Sequence, residues 1–515
     1  MVKRLPKTTA MKLCMLDGQA LAKNHGDEIV HYSLQFINFV SMEKINVAIC
    51  WFRRDLRIAD NTALWHALNS NLPVIPLFIF DTTILDKLEQ GSAHKGVNFI
   101  HNALFYMEEE FKKAGSFLLN VKGNPIDVFD YLINGELNEI IDIKAVYCNN
   151  DYEPTAIERD SLVEALLAKK GIPLHSFKDQ VIFEKDQILK KDGTPYSIYT
   201  PYSRKWIEKL ENSPAQHLRE YKTEPMLSKL LSEQQFNKSI HSNNKPGHIN
   251  NNPGHSIRTS LPTIEEIGFA SAQHNKQLPY NFSQQIIESY RDTRDFPSIE
   301  GTSGISPHLR FGTISIREAV RFAIEKSAKE QLFDNTWLKE LIWRDFFKMI
   351  LFQFPYVQDQ PFKTKYSFIK WRNNPNELEA WCNGKTGYPI VDAGMRELNA
   401  TGLMHNRIRM ITASFLVKHL LIDWRVGEAY FAEKLLDYDL SSNNGNWQWA
   451  ASCGCDAVPY FRIFNPYEQS RKFDPDNTYI KKWVPEVGSK TYPAPICNHK
   501  EARERALVTY KKALS

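Results

Sequence analysis

Short apolar runs alternate with amphipathic stretches over the first third of the chain. Runs rich in β-branched and aromatic residues, which predict buried strands, occupy residues 47–52, 74–80, 117–121 and 145–148. Between them apolar positions recur at helical spacing in residues 61–70, 94–114 and 155–170. Strands that alternate with helices predict a Rossmann-like α/β domain with a parallel sheet, here over residues 45–179. No G-x-G-x-x-G or Walker loop follows these strands, so this domain indicates a fold without a chemistry.

The pattern changes beyond this domain. Residues 180–262 are less regular, and residues 232–262 are rich in Asn, Ser, His, Gly and Pro, which is typical of a loop or linker. Residues 263–515 carry mostly helical periodicity and few β-rich runs. The predicted architecture is therefore an α/β domain, a long linker and an all-α domain.

Residues 1–44 form a separate N-terminal segment. Asp17, Asp27 and Glu28 argue against a transit peptide, and the segment has no apolar core typical of a secretory signal. Met42 stands immediately before the first predicted strand. The sequence therefore favours translation from Met42 over a genuine extension.

Composition narrows the class of protein only slightly. The chain of 515 residues is 43% hydrophobic and 24% charged, which is typical of a globular protein. Its net charge of +4 is too small to indicate a nucleic-acid partner, although a basic patch on one face remains compatible with it. No apolar run reaches the roughly 18 residues that span a bilayer, so no membrane association is expected.

Seven cysteines are scattered along the chain. Their odd number and spacing favour a reduced, cytoplasmic protein over a disulfide framework. Cys453 and Cys455 are the only close pair, and no further Cys/His cluster stands beside them to complete a zinc site. No metal is predicted.

The segment of residues 337–347 combines apolar and charged residues at helical spacing. Leu341 and Phe346 are predicted to face the core, and the mixed face carries Glu340, Trp343, Arg344 and Phe347. Such a stripe is typical of an exposed, salt-bridged helix. It is equally typical of a pocket in which aromatic rings stack a base and Arg binds a phosphate. On this helix alone both interpretations stay open.

A second helical segment, residues 405–417, places Arg409 in an otherwise apolar environment. A buried guanidinium requires a partner, and Asp437 or Asp439 could supply it. The same helix also carries Asn406, Arg407 and Met410. Residues 442–451 add an Asn-Gly turn with paired tryptophans. Residues 300–306 form a hydroxyl-rich loop whose backbone N–H groups could hold a pyrophosphate.

Several longer motifs carry a family resemblance. They are WFRRDLR at residues 51–57, KTGYPIVDAGMR at 385–396, NWQWAA at 446–451 and FRIFNP at 461–466. Together, and in this order, they resemble the photolyase/cryptochrome family. The resemblance runs from about Val47 to the C-terminal region and leaves out the N-terminal segment and the Asn-rich linker.

The resemblance implies FAD bound inside the helical domain. The positions that match the family's flavin site are Tyr290, Thr302, Ser303, Gly304, Ile305, Ser306, Arg409, Asp437, Tyr438 and Asp439. Asn443 matches the position that faces the flavin N5. Gly304 stands where many relatives have Arg, so that side-chain contact is not expected here. The implied electron-hopping chain consists of Trp447, Trp424 and Trp371.

Within the family, the resemblance is closest to class I cyclobutane pyrimidine dimer photolyases. Residues 404–410 do not carry the histidine pair of the (6-4) enzymes. Trp449 stands where DASH-type relatives have Tyr, and Asn443 where plant-like cryptochromes have Asp. A (6-4) photolyase and a cryptochrome-like blue-light photoreceptor that signals through a partner remain as alternatives.

The activity implied is light-driven repair of cyclobutane pyrimidine dimers by electron transfer from excited, reduced FAD, a carbon–carbon lyase reaction. Trp343 and Trp449 would flank the flipped dimer, Met410 would touch it, and Glu340 would hydrogen-bond a pyrimidine edge. The residues expected to hold the DNA strand are Arg294, Arg344, Asn406, Arg407, Arg462, Gln469 and Lys472. Binding is expected to weaken with salt. The expected protein is a monomer that needs no obligatory protein partner.

The antenna chromophore stays open. Folate-binding relatives carry an Asn-Glu pair where this chain has Thr155 and Ala156, and their Cys-Lys pair maps near Val357 and Gln358. Both departures argue against that folate site. A deazaflavin in the α/β domain and the absence of any antenna are both compatible with the sequence.

Overall fold

The computed structural model describes residues 14–16, 19–21, 44–242, 256–272, 280–326 and 332–515. The chain divides into two compact units, Met1–Lys44 and Ile45–Ser515. In the first unit, β1 (Cys14–Leu16) and β2 (Gln19–Leu21) pair antiparallel. Met42 lies outside the described residues, so a translation start there stays a prediction.

The second unit contains a six-stranded sheet. Its strands are β3 (Ile45–Phe52), β4 (Val74–Asp81), β5 (Leu119–Gly123), β6 (Ile141–Asn149), β7 (Leu174–Phe177) and β8 (Ser256–Arg258). The strand order is β7-β6-β3-β4-β5-β8, and every neighbouring pair is parallel except β5 with β8. The structure confirms the four predicted strands and adds β7 and β8.

Side chains of β3 alternate between two apolar cores. Val47, Ile49 and Trp51 pack in the core on one side of the sheet, and Ala48 and Phe52 pack in the other. Because both faces are covered, the strand is a continuous apolar run and not an alternating one. The covering helices are α1 (Thr62–Leu68), α2 (Thr82–Leu85), α3 (Lys95–Lys113), α4 (Pro125–Asn134) and α5 (Pro154–Ala168). The predicted α/β architecture is confirmed.

The connecting region is more ordered than its composition predicts. This region, residues 180–262, contains α6 (Tyr199–Asn212), α7 (Pro214–His217) and α8 (Glu233–Ser242), in addition to β8, and α9 (Ile264–Ile267) follows it. The prediction of loop throughout residues 232–262 was wrong for α8 and β8. Phe236 of α8 is buried, with its ring centroid 4.7 Å from that of Phe117, and this tertiary contact overrides the local composition. Residues 243–255 lie outside the described ranges.

The rest of the chain is helical, as predicted. Its helices are α10 (Gln284–Thr293), α11 (Ser306–Phe311), α12 (Ile316–Lys326), α13 (Thr336–Gln353), α14 (Pro375–Cys382), α15 (Pro389–Thr401), α16 (Asn406–Ser414), α17 (Trp424–Lys434), α18 (Leu440–Ala450), α19 (Pro466–Phe473), α20 (Thr478–Trp483) and α21 (His499–Leu514). A π-helical turn, Phe415–His419, continues α16. Within the described ranges every helix is too short or too polar to cross a lipid bilayer.

A buried network of charges joins the α/β domain to the helical domain. Arg57 follows β3, Asp179 follows β7 and Arg317 lies on α12, and both guanidiniums donate to the Asp179 carboxylate, at 2.7 Å and 2.9 Å. Arg317 also donates to Asp60 at 3.0 Å. Burial alone would raise the pKa of Asp179, but the two guanidiniums lower it below its usual range. The network therefore holds the Asp179 carboxylate ionised inside the protein.

Replacing Arg317 by alanine should lower the free energy of unfolding by about 3–5 kcal/mol, because Asp60 and Asp179 then stay buried with incomplete compensation. Urea denaturation followed by circular dichroism measures the change. Arg471→Ala, which breaks an exposed pair with Glu468, is the control and should leave the midpoint unchanged. Equal midpoints for Arg317→Ala and the control would contradict this assignment.

Candidate functional site

Helices α13, α17 and α18 approach one another at two glycines. Phe347 of α13, predicted on the mixed face, is buried and lies against Gly445 of α18. A Cβ atom at Gly445 would come within 2.1 Å of the Phe347 ring. The Trp447 indole likewise lies against Gly427 of α17, where a Cβ atom would be 2.2 Å from the ring. Larger residues at either position would separate the helices that carry the predicted site.

Glu340 of α13 pairs with Arg294 at the end of α10. The Arg294 guanidinium also lies 5.3 Å from the ring centroid of Tyr290, a cation–π distance. Burial raises the pKa of the Tyr290 phenol, and the nearby Glu340 carboxylate raises it further. The structure therefore brings together Tyr290, predicted to bind the flavin, Arg294, predicted to bind DNA, and Glu340, predicted to bind the dimer and take part in its repair.

Arg407, predicted to hold DNA, already has an acidic partner. Its guanidinium donates to Asp295 at 2.8 Å and lies 4.2 Å from the ring centroid of Phe473. The neighbouring His405 caps α16, with Nδ1 accepting from the Arg407 backbone N–H at 3.2 Å. Burial lowers the pKa of His405 to about 4, so its ring is neutral at neutral pH beside these charges. Asp295 was not predicted from the sequence.

The hydroxyl-rich loop of residues 302–306 is anchored from behind. Ser303 accepts at its backbone oxygen from the Tyr280 hydroxyl, at 2.7 Å, and at Oγ from Trp337 Nε1, at 3.2 Å. Gly304 adopts the left-handed backbone region with φ 66°, which favours glycine. Of the remaining loop residues, Thr302 and Ser306 are exposed and Ile305 is buried.

Arg409 pairs with Asp437. Its Nη2 donates to both carboxylate oxygens, at 2.9 Å and 3.1 Å, and its Nε donates to the Met404 backbone oxygen at 2.7 Å. The sequence left Asp437 and Asp439 open as partners, and the structure selects Asp437. Tyr438, between the two aspartates, is half-buried.

Asp439 instead joins the two domains at the N-terminus of α18. Its side chain caps the helix by accepting from the Ser442 N–H at 3.1 Å. It also accepts from Lys348 of α13, at 2.8 Å, and from Arg54 of the segment after β3, at 2.7 Å. Burial lowers the pKa of Lys348 to about 8, although Asp439 opposes the shift. One carboxylate thus contacts the α/β domain, α13 and α18.

Arg344, predicted to hold DNA, donates to backbone oxygens inside the protein. Its partners are Gln180 and Leu309, the latter at 3.2 Å. Burial lowers the pKa of this guanidinium. These contacts favour a role in joining the connecting region to α11, and contact with DNA stays a prediction.

Asn443 is buried on α18 and donates from Nδ2 to the backbone oxygen of Glu428 at 3.1 Å. Glu428 lies on α17, and burial raises the pKa of its carboxyl to about 8. Within the described part of the chain, its Oε1 atom is buried without a hydrogen-bond partner. Glu428 is therefore mostly neutral at pH 7, beside the residue predicted to face the flavin. Glu428 was not predicted from the sequence. The only signal for it was an acidic residue among apolar residues on a predicted helix.

The three tryptophans of the implied electron chain share one apolar cluster. Trp447 and Trp424 are buried in it, and Trp371 is half-buried at its edge. The Trp371 and Tyr510 ring centroids are 6.2 Å apart. The greater exposure of Trp371 is consistent with an outer end there, whereas Trp447 and Trp424 are equally buried, and the order of transfer stays a prediction.

The predicted dimer-stacking and DNA residues differ in exposure. Trp343 and Trp449 are half-buried. The Trp343 indole stacks on Tyr199 of α6, which sequence analysis missed because it lies in the irregular region. Among the other candidates, the exposed side chains are Asn406, Arg462 and Lys472, and the half-buried ones are Gln469 and Met410.

The strand order reverses between β3 and β6, a place where open α/β sheets commonly bind ligands. There Arg53 bonds Asp160, at 2.5 Å, and the Asn149 backbone oxygen, and Arg54 bonds Asp151 at 3.2 Å. These contacts do not identify an antenna chromophore. Across the described ranges, no cluster of three His, Cys, Asp or Glu side chains could hold a metal ion.

Comparisons with known proteins agree with this arrangement. The family model of DNA photolyase matches residues 48–224, and that of the FAD-binding domain of DNA photolyase matches residues 337–489. The chain is 37% identical to a deoxyribodipyrimidine photo-lyase of Alkalihalophilus pseudofirmus, over 90% of this chain and 97% of that protein.

Two solved structures show the same fold. A class III photolyase from Agrobacterium tumefaciens superposes with a TM-score of 0.72 at 33% identity, covering 92% of this chain and 99% of that chain. An archaeal photolyase from Sulfolobus tokodaii, solved with two FAD molecules, gives a TM-score of 0.66 at 31% identity, covering 91% and 100%.

The raised pKa of Glu428 predicts a pH dependence of stability. The folded-state pKa of about 8 lies above the ordinary glutamate value of 4.5, so the stabilising contribution is complete below the lower value and lost as pH rises through the higher one. The wild type should therefore lose stability relative to Glu428→Gln between about pH 5 and 8. Thermal unfolding midpoints across this range measure the difference. Glu428→Asp, which keeps a carboxyl, is the control, and parallel profiles for wild type and Glu428→Gln would refute the assignment.

Proposed function

The chain belongs to the DNA photolyase family, and from this premise we propose that it splits cyclobutane pyrimidine dimers in DNA under light, with FAD held in the helical domain. The observation that carries the proposal is the arrangement along α13. Trp337 anchors the loop predicted to bind the cofactor, Glu340 follows one turn later, and Trp343 follows one turn after that. One rigid helix thus presents a cofactor contact, an acid and a stacking ring in succession.

The residues fit a flavin dinucleotide. The exposed hydroxyls of Thr302 and Ser306 lie on a loop that Trp337 holds from behind, as a pyrophosphate site requires. Arg409 and Asp437 offer a paired cation and carboxylate for the polar edge of a flavin ring. Asn443 is oriented by its bond to the Glu428 carbonyl, which leaves the amide oxygen to accept from a flavin N–H.

FAD, when bound in its reduced form, supplies the light-driven electron that opens the two bonds between the pyrimidines and is then returned. The protein positions the dimer. Trp343 and Trp449 stack against the flipped bases, and Met410 contacts them. Glu340 accepts a hydrogen bond from a pyrimidine N–H, and its ion-pair partner Arg294 offsets the charge of the carboxylate beside the place where negative charge develops. Trp447, Trp424 and Trp371 carry electrons inward from the surface.

Binding of the DNA strand is assigned first to the exposed side chains. Asn406, Arg462 and Lys472 are free to reach phosphates, and Gln469 lies on the same helix as Lys472. Arg294 and Arg407 each already pair with a carboxylate, so they contribute to DNA binding only by sharing that partner. This electrostatic component weakens as salt rises.

The branch of the family and the location follow from the sequence and the cysteines. The absence of a histidine pair in residues 404–410 supports the class I branch. The six cysteines from Cys50 to Cys497 are free thiols, which supports a reducing, cytoplasmic location. We further infer a monomer that needs no protein partner for repair.

The direct test mixes the reduced, FAD-loaded protein with DNA that carries a defined thymine dimer. Blue light should restore thymine, and darkness should not. Undamaged DNA and the oxidised protein are the controls. Restoration from a (6-4) lesion alone, or a light-dependent response of a protein partner without repair, would replace the proposal with one of the alternative functions.

Glu340→Ala should reduce repair per absorbed photon by about tenfold or more, while the dissociation constant for dimer-containing DNA changes by no more than about threefold. The reason is that Glu340 orients the pyrimidine edge and holds the Arg294 cation near the charge that develops during the reaction, whereas strand binding is spread over several side chains. Glu340→Gln, which keeps a hydrogen-bonding side chain, should retain more of the yield. Equal losses of yield and affinity would show that Glu340 acts mainly in binding.

A further inference from the structure

Tyr199, the first residue of α6, forms the closest ring pair among the described aromatic contacts. Its ring lies parallel to the indole of Trp343, with centroids 3.6 Å apart and planes inclined by 3°. Tyr199 is 8% exposed, so this stack lies almost entirely out of the solvent. One face of Trp343 is therefore covered by a residue from the connecting region.

Two hydrogen bonds fix the position of Tyr199. Its hydroxyl donates to the backbone oxygen of Lys339 on α13, at 2.8 Å. Its backbone N–H donates to the carboxylate of Asp456, at 3.1 Å, in the segment that follows α18. Tyr199 is therefore attached to α13, which carries Trp343, and to the segment that follows α18, the helix that carries Trp449.

The surroundings of Trp343 restrict its indole further. Phe346 packs edge-on against it, with centroids 5.6 Å apart, and Phe347 lies at 5.4 Å. The ring is nevertheless half-buried, so part of it remains available to a ligand. A ring already held in one orientation loses little conformational freedom when a base stacks on it, and such preorganisation strengthens binding.

We propose that Tyr199 is the positioning residue that holds Trp343 as a rigid platform for the flipped dimer. Part of the preference for damaged over undamaged DNA then originates in α6, outside the cofactor-binding domain. The inference rests on the proposed function, because it concerns how the same site recognises its lesion.

Tyr202 offers a matched control for ordinary core packing. It lies on the same helix, is fully buried and packs on Phe346 at 5.1 Å. Its described ring contacts do not include Trp343, unlike those of Tyr199. A substitution at Tyr202 therefore loosens the same core without removing the stack.

The experiment measures dissociation constants in the dark for a duplex with one thymine dimer and for the same undamaged duplex, using FAD-loaded protein. Tyr199→Leu should lower the ratio of the two affinities by about tenfold, and Tyr199→Phe, which keeps the ring, by no more than about twofold. Tyr202→Leu should leave the ratio unchanged. In a Trp343→Leu background, Tyr199→Leu should cause no additional loss, because its effect passes through Trp343.

An unchanged ratio in folded Tyr199→Leu would overturn the inference, as would an equal loss in Tyr202→Leu or an additive loss in the Trp343→Leu background. If Tyr199→Leu does not fold, Asp456→Ala replaces it as the test, because Asp456 is exposed and accepts from the Tyr199 N–H. The ratio of the two affinities should then fall by about twofold to threefold, and an unchanged ratio would overturn the inference. Light-driven repair by the wild type is measured in parallel. Its absence would refute the proposed function, whereas the ratios among the variants test Tyr199.

Discussion

The buried charges at the domain junction are the constraint on which the rest of the structure depends. Arg57, Asp60, Asp179 and Arg317 come from the segment after β3, the segment after β7 and α12. Each charge is costly to remove from water. Arg57 and Asp179 pair within the α/β domain, and Asp60 and Asp179 gain the Arg317 guanidinium only when α12 is docked. The network therefore favours the docked arrangement, on which the site residues that bridge the domains depend.

The sequence predicted the strands and long helices because burial leaves a periodic trace. The apolar run of β3 and the spacing in α3 follow directly from which faces are covered. The sequence did not predict α8 and β8, because these elements depend on contacts with residues distant in sequence, such as that of Phe236 with Phe117, and not on a local pattern. Short elements with weak periodicity are decided by tertiary contacts that a linear reading does not contain.

The site was predictable to a similar depth. Burial of a guanidinium on α16 required an acid, and chemistry alone limited the partner to Asp437 or Asp439, but only the backbone path after α17 distinguishes them. The residues that support others were harder to find. Tyr199 acts on Trp343 from α6, which is distant in sequence, and Glu428 holds Asn443 from the preceding helix through a backbone oxygen, so no motif joins either residue to its partner. Motifs identify the residues that contact a ligand better than the residues that hold those side chains in position.

The contact between Arg54 and Asp439 has a consequence for how such proteins diversify. Asp439 caps the helix that carries Asn443, and its partner Arg54 belongs to the other domain. The two domains therefore cannot be exchanged by recombination independently of each other. A transplanted α/β domain without this arginine would leave the buried carboxylate with one cation fewer, and the disturbance would begin at the N-terminus of α18. An exchange of the α/β domain must therefore carry this arginine with it.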